Sequence, residues 1–213
     1  RARWNLERDG ARIELALDEG RIVRDDHAEP LREIEIELKS GPTATLFALA
    51  HMIAEQMPVR IGVQSKSERG FALVRAPALA PRRQPVSLDP AARPADAFVT
   101  IAQSCIRHYR LNEALVLRAG DRAGVHQARV ALRQLRTAFR LFAPILGDDA
   151  EGKRLRTALG ALAADYGAVR NLDVLLVRFR GKPRRTLDAA RADALAVLLD
   201  RLAASETRTR FLD

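Results

Sequence analysis

Arg122-Ala123-Gly124-Val125-His126-Gln127-Ala128-Arg129-Val130-Ala131-Leu132-Arg133-Gln134-Leu135-Arg136-Thr137-Ala138-Phe139-Arg140 carries two periodic patterns at once. Ala128, Leu132, Leu135, Phe139 and Phe142 recur at helical spacing, and so do His126, Arg129, Arg133, Arg136 and Arg140. At 100° per residue the two stripes stand about 120° apart, which predicts a helix over 121–146 with one core face and one cationic face. At 1.5 Å rise the cationic stripe is about 21 Å long, suited to an elongated anion. No Asp or Glu lies between Arg122 and Asp148. Each like-charge neighbour at this spacing costs roughly 0.2–0.5 kcal/mol, so compensation has to come from outside the helix. Two sources are open: acids on neighbouring helices, with Asp165 and Asp173 as candidates, or a bound polyanion.

The same 3.6-residue period extends on both sides. Phe98, Ile101, Ala102, Cys105 and Tyr109 predict a helix from Asp96 to just before Gly120. A third helix is predicted over 151–166, with Leu155, Leu159, Leu162 and Tyr166 inward. Gly167 reads as its break, Asn171 as the start of a fourth, and 186–204 as the last. Residues 81–213 hold 24 basic and 14 acidic side chains, and residues 1–80 hold 12 and 13, so the net charge of +9 resides in the helical part. Of the 36 basic residues 32 are Arg, whose planar fork matches phosphate or carboxylate.

Toward the N-terminus the period falls to two. Ile13, Leu15 and Leu17 alternate with polar neighbours, Asp18-Glu19-Gly20 reads as a turn, and 21–24 reads as the returning strand. Over 33–39, Glu33, Glu35, Glu37 and Lys39 share one face, with Ile34, Ile36 and Leu38 on the other. Gly41-Pro42 opens a helix over 43–57, and short strands are predicted near 59–65 and 71–75. The fold class is α+β: a partial antiparallel β unit over 1–75, a linker over 76–95 holding Pro77, Pro81, Pro85, Pro90 and Pro94, and an all-α bundle over 96–213.

A single cysteine, Cys105, excludes an internal disulfide and fits a reducing cytoplasm. No apolar run approaches the roughly 20 residues of a membrane span, so no membrane partner is expected. The opening Arg1-Ala2-Arg3-Trp4 has no initiator Met and reads as the interior of a longer protein. Single-strand binders interleave aromatics for base stacking, and aromatics are 5% of this chain. A groove-reading helix uses Asn or Gln against base edges, and the stripe holds only Arg and one His. Both features favour a plain phosphate polymer over nucleic acid, which stays as the alternative. Lys153, Arg156 and Arg170 could extend the surface. The four histidines form no i,i+4 pair, and His126 among cations is expected to be neutral, donating to a phosphate oxygen. On the β unit, Glu33, Glu35 and Glu37 repel one another. Either they form the charged face of an exposed edge strand or they attract a divalent ion.

Val125-His126-Gln127-Ala128-Arg129-Val130-Ala131-Leu132-Arg133-Gln134-Leu135-Arg136 resembles the signature helix of the conserved-histidine α-helical (CHAD) domain. Gly167-Ala168-Val169-Arg170-Asn171-Leu172-Asp173-Val174-Leu175 is similar to that family's second landmark, with Asn171 where Asp is usual. Over 96–213 the resemblance implies two pseudo-symmetric helical halves with a basic surface for inorganic polyphosphate. It carries over to His126, Arg129, Arg133, Arg136, Arg140 and, more weakly, Arg170. The second basic helix of the family has no counterpart before Asp213.

Glu33-Ile34-Glu35-Ile36-Glu37-Leu38-Lys39-Ser40-Gly41, with Ile13–Gly20 before it and Gln64–Gly70 after it, resembles the later part of a CYTH domain. That triphosphate tunnel serves class IV adenylate cyclases, thiamine triphosphatases and inorganic triphosphatases, and a fusion of CYTH with CHAD is implied. The resemblance implies catalytic roles for Glu33, Glu35 and Glu37, with Glu35 and Glu37 as ligands of Mg²⁺ or Mn²⁺. It implies triphosphate binding by Arg3, Arg12, Lys39 and Lys66, and less strongly a role for Asp18. Glu35-Ile36-Glu37-Leu38-Lys39 matches the family's opening E-x-E-x-K pattern, yet lies too close to the linker to be that strand. Catalysis by this chain alone is therefore left open, as are a cyclase-like activity and the oligomeric state. The expected location is the cytoplasm, with polyphosphate granules as a further place.

Overall fold

A computed structural model describes residues 1–74, 80–147 and 150–211. Strands β1 (Ala2–Arg8), β2 (Ala11–Arg24) and β3 (His27–Ser40) form an antiparallel meander in that order. Ile13, Leu15 and Leu17 of β2 stand opposite Leu38, Ile36 and Ile34 of β3, so the alternation read in each strand meets on one face. Helix α1 (Thr43–Gln56) covers that face, with Ala11, Ile13 and Leu49 at the centre and Leu6, Ile36, Leu38 and Ile53 around them.

Several local expectations give way to longer-range pairing. Asp18-Glu19-Gly20 is not a turn: β2 runs through it, and these residues pair with Glu33, Arg32 and Leu31. The chain reverses at Asp25-Asp26 instead, with Asp25 at φ 51°. The first hairpin turns at Asp9-Gly10, where φ is 47° and 74°, the positive pair that a two-residue primed turn requires. Gly41 sits at φ 103°, where a Cβ would collide with the Gly10 carbonyl, so the corner from β3 into α1 admits only glycine.

The predicted strands near 59–65 and 71–75 do not form. Residues 59–64 have no regular structure, Phe71–Leu73 belong to helix α2 (Lys66–Leu73), and Arg75 lies outside the described residues. The helix is nucleated by a capping box. The Ser65 hydroxyl accepts from the Glu68 N–H at 3.1 Å, and the Glu68 carboxylate accepts from the Ser65 N–H at 2.8 Å.

The second part is helical: α3 (Pro94–Ala119), α4 (Arg122–Leu141), α5 (Ala143–Leu146), α6 (Ala150–Arg178), α7 (Gly181–Ala203) and α8 (Ser205–Thr209). The predicted 121–146 helix is thus two, because Pro144 cannot donate back into α4 and stands in the first turn of α5. Gly167 does not break α6, which runs through it without interruption. Helix α7 begins at Gly181 rather than 186, with Pro183 in its first turn, where an N–H has no partner to lose. Helix α4 packs between α3 and α6, and α7 packs on α6. Their shared core holds Cys105, Tyr109, Val125, Leu132, Leu135, Leu159, Leu162, Tyr166, Leu198 and Leu202. Within it the Glu113 carboxylate accepts from the Tyr109 hydroxyl at 2.8 Å and from Arg110 at 2.6 Å, so the buried charges are paired.

The chain divides into two compact units, Arg1–Ala78 with Arg208–Leu212, and Leu79–Thr207. Pro77 of the Pro-rich stretch lies outside the described residues. The stretch from residue 80 onward belongs to the helical unit, where the Pro81 carbonyl accepts from Asn112 Nδ2 at 2.9 Å.

Candidate polyanion-binding site

Helix α4 presents the two faces read from its sequence. Val125, Ala128, Leu132 and Leu135 are buried, and Arg133, Arg136 and Arg140 are exposed. Asp121 starts it, its carboxylate accepting from the Gly124 N–H at 2.5 Å.

Helix α6 runs antiparallel alongside. Arg129 Nε lies 3.5 Å from where a Cβ on Gly167 would stand, and an Arg136 terminal nitrogen 3.8 Å from where one on Gly160 would stand. One step of seven residues forward on α4 therefore matches seven residues back on α6. The same register places Arg170 beside His126 and Arg156 opposite Arg140. On α6 the facing stripe is Lys153, Arg156, Gly160, Ala163, Gly167 and Arg170, again at steps of three and four. The outcome is a strip with cationic ends on α6, a floor of small residues in the middle, and the arginine row of α4 along it. Gly167, which reads locally as a helix breaker, allows α4 and its arginines to lie close. Two glycines seven apart inside an otherwise unbroken helical period are the signal for it.

The two candidate acids are held elsewhere. Asp173 is buried and paired with Arg191 at 2.6 Å and Arg122 at 3.3 Å, and Asp165 is paired with Arg201. Among the described residues no carboxylate reaches Arg129, Arg133, Arg136 or Arg140. Arg129 Nε is buried without an acceptor, a donor that costs free energy until an acceptor arrives. His126 is half-buried and held below its ordinary pKa, first because burial disfavours the cation, then because Arg170, Arg129 and Arg133 stand near. Burial and this field of guanidinium groups both favour the neutral imidazole. Arg191 and Arg201, which carry no periodic signal in the sequence, keep the acids away from this face.

The sheet unit solves its charge differently. On the face away from α1, Asp18, Glu33 and Glu35 converge on Lys66 of α2: 2.8 Å from Asp18, 3.6 Å from Glu33, and in direct contact with Glu35. Arg1 adds a forked pair to Asp18 at 2.6 and 2.8 Å and also reaches Glu35. These partners hold the Asp18 carboxyl down at about 2, through hydrogen bonds from Arg1 and then Lys66. Hydrogen bonds to Asp18 and Glu35 in turn push Lys66 up to about 12. Lys39 bridges Glu37 at 2.9 Å and Glu14 at 3.4 Å, Arg3 stands 3.9 Å from Glu14, and Arg12 donates to the Ser40 hydroxyl at 3.0 Å. Arg1 and Arg69 are additional members of this network.

Glu35 and Glu37, the residues expected to hold Mg²⁺ or Mn²⁺, are engaged with cations of the chain itself. Glu35 and Glu37 face different cations, and a lysine ammonium stands where the carboxylates meet. No three His, Cys, Asp or Glu among the described residues are grouped to hold a metal ion. No helix of the described residues is long and apolar enough to cross a membrane.

A family model for the CHAD domain matches residues 100–211. An inorganic triphosphatase of Haemophilus influenzae is 34% identical over 70 residues, covering 33% of this chain and 20% of that protein. The chain thus spans about one fifth of the length of this relative.

Proposed function

This chain belongs to the CHAD domain family, and from that premise we propose that its helical unit binds inorganic polyphosphate along the α4–α6 strip. One observation carries the reading: among the described residues, four arginines stand in a row without a carboxylate, while Asp165 and Asp173 of the adjacent helix are tied to other arginines. Such a row stores repulsion that a polyanion relieves on binding. A phosphate chain supplies charge at every link and asks for no base contacts, which matches a surface of Arg and one neutral His.

The likeness to an inorganic triphosphatase supports triphosphate-type anions as the chemical class. The sheet unit enters this proposal as a second anion-handling surface, with Arg3, Arg12, Lys39 and Lys66 as phosphate partners and Glu33, Glu35 and Glu37 beside them.

The test is a pair of titrations at matched salt, long-chain polyphosphate against duplex DNA, followed by the same pair on Arg129→Ser/Arg133→Ser/Arg136→Ser. Tighter binding of polyphosphate that the triple substitution abolishes is expected. Equal affinity for DNA and polyphosphate would overturn the reading. Phosphate release from tripolyphosphate with Mg²⁺ or Mn²⁺ separately tests whether the sheet unit turns over.

A further inference from the structure

The helical unit holds a second feature on the flank of α4 that faces α3 and the Pro-rich stretch. A pocket of about 430 Å³ opens there, lined by Arg83, Leu88, Ile101, Arg133, Gln134 and Phe142, among others. Its size is within the usual range for small-molecule sites, and its wall is mainly apolar. Two arginines line it, and neither has a carboxylate among the described residues. Arg83 makes only a long 3.9 Å approach to Cys105 Sγ, and Arg133 belongs to the arginine row. The Gln134 side-chain oxygen is buried and accepts no hydrogen bond. Arg133 is therefore shared: it lines the pocket and also belongs to the arginine row.

An apolar wall alone would suit any greasy ligand, and a phosphate strip alone would suit any polyphosphate. Their junction suits a molecule with both parts. A nucleobase offers a flat π-face for Phe142 and for the Arg83 guanidinium, which stacks on aromatic rings. It also offers the paired donor and acceptor that a carboxamide such as that of Gln134 reads in bidentate fashion on adenine. We propose that this pocket takes the base of a nucleoside 5′-polyphosphate whose phosphates lie on Arg133 and its neighbours in the row. The proposal rests on the polyphosphate reading of the strip and adds a terminal group to its ligand.

ATP and inorganic tripolyphosphate separate the two readings by calorimetric titration of the whole chain at matched salt and without metal. ATP should bind about tenfold more tightly, the worth of one good carboxamide pairing with some stacking. Gln134→Leu, close in volume, and Arg83→Ser should each remove most of that preference and leave tripolyphosphate affinity unchanged, with the helical circular dichroism of the parent. Equal affinity for the two ligands in the parent would overturn the pocket while the strip stands. A preference that survives both substitutions would also overturn it, since the base would then bind elsewhere. Failure of both ligands and of long polyphosphate to bind would overturn the strip itself, and the pocket with it.

Discussion

The sheet unit and the helical unit treat positive charge in opposite ways. On the sheet, Lys66 stands among Asp18, Glu33 and Glu35, Arg1 forks onto Asp18, and Lys39 bridges Glu14 and Glu37. On α4, Arg129, Arg133, Arg136 and Arg140 meet no carboxylate among the described residues, although Asp165 and Asp173 lie on the adjacent helix α6. Whether a surface can take up an external anion depends on which cations the fold leaves unpaired, more than on how many there are. A cation already bonded to a carboxylate has to give up that bond before a phosphate gains anything.

The largest expected effect is on the unpaired side. Arg129→Ser/Arg133→Ser/Arg136→Ser should weaken polyphosphate binding about a hundredfold, on the order of 1 kcal/mol for each charge-assisted hydrogen bond that the substitutions remove. The same triple change should slightly raise stability to denaturant, because it removes like-charge neighbours on one helix. A matched loss of binding after Arg1→Ser, which removes a cation already forked onto Asp18, would contradict this contrast.

On the paired side, Lys66→Ala should lower the melting temperature of the sheet unit. The reason is that, among the described residues, Asp18, Glu33 and Glu35 then face one another with only Arg1 and Arg69 in reach. NMR titration of Asp18 should also show its carboxyl moving from about 2 back toward its ordinary range.

Acid sharpens the same point. The Asp18 carboxyl titrates at about 2 in the fold against 3.8 ordinarily, so the unfolded chain binds the proton first as pH falls. Stability from this group is complete above about 4 and declines between there and about 2. Equilibrium unfolding followed across that window should show the loss in the parent and a smaller one in Asp18→Asn.

Two smaller effects test the strip. Gly167→Ala places a methyl in ordinary contact with Arg129 at 3.5 Å and should stabilise α6 by up to about 1 kcal/mol in chemical denaturation. Gly167→Leu should displace Arg129 and weaken polyphosphate binding. His126→Gln keeps a neutral donor and should change affinity by less than about threefold; a tenfold loss would remove the neutral-donor role.

The two-faced arginine helix, the strict alternation of β3 and the antiparallel β unit before a helical bundle are all legible in the residues themselves. Each depends on a period that short stretches of chain enforce. The misreadings share one cause. Asp18-Glu19-Gly20 has turn composition but pairs with 31–33, and Gly167 has breaker composition but lies beneath Arg129. At 71–75 the apolar residues suggest a strand, while the Ser65–Glu68 capping box sets a helix. Local propensities of about 1 kcal/mol are overruled where a long partner strand or a packed helix supplies more.

What the sequence determined by itself is the location of charge: a helical part rich in arginine, with a row on one face and no acid within that helix. Periodicity is enough to put side chains on a common face. It cannot say which acid on another helix reaches which arginine, because that depends on the rotation and register of packed helices. Only the tertiary structure decided that Asp165 and Asp173 turn to Arg201, Arg191 and Arg122, leaving the row of α4 open over the glycines of α6.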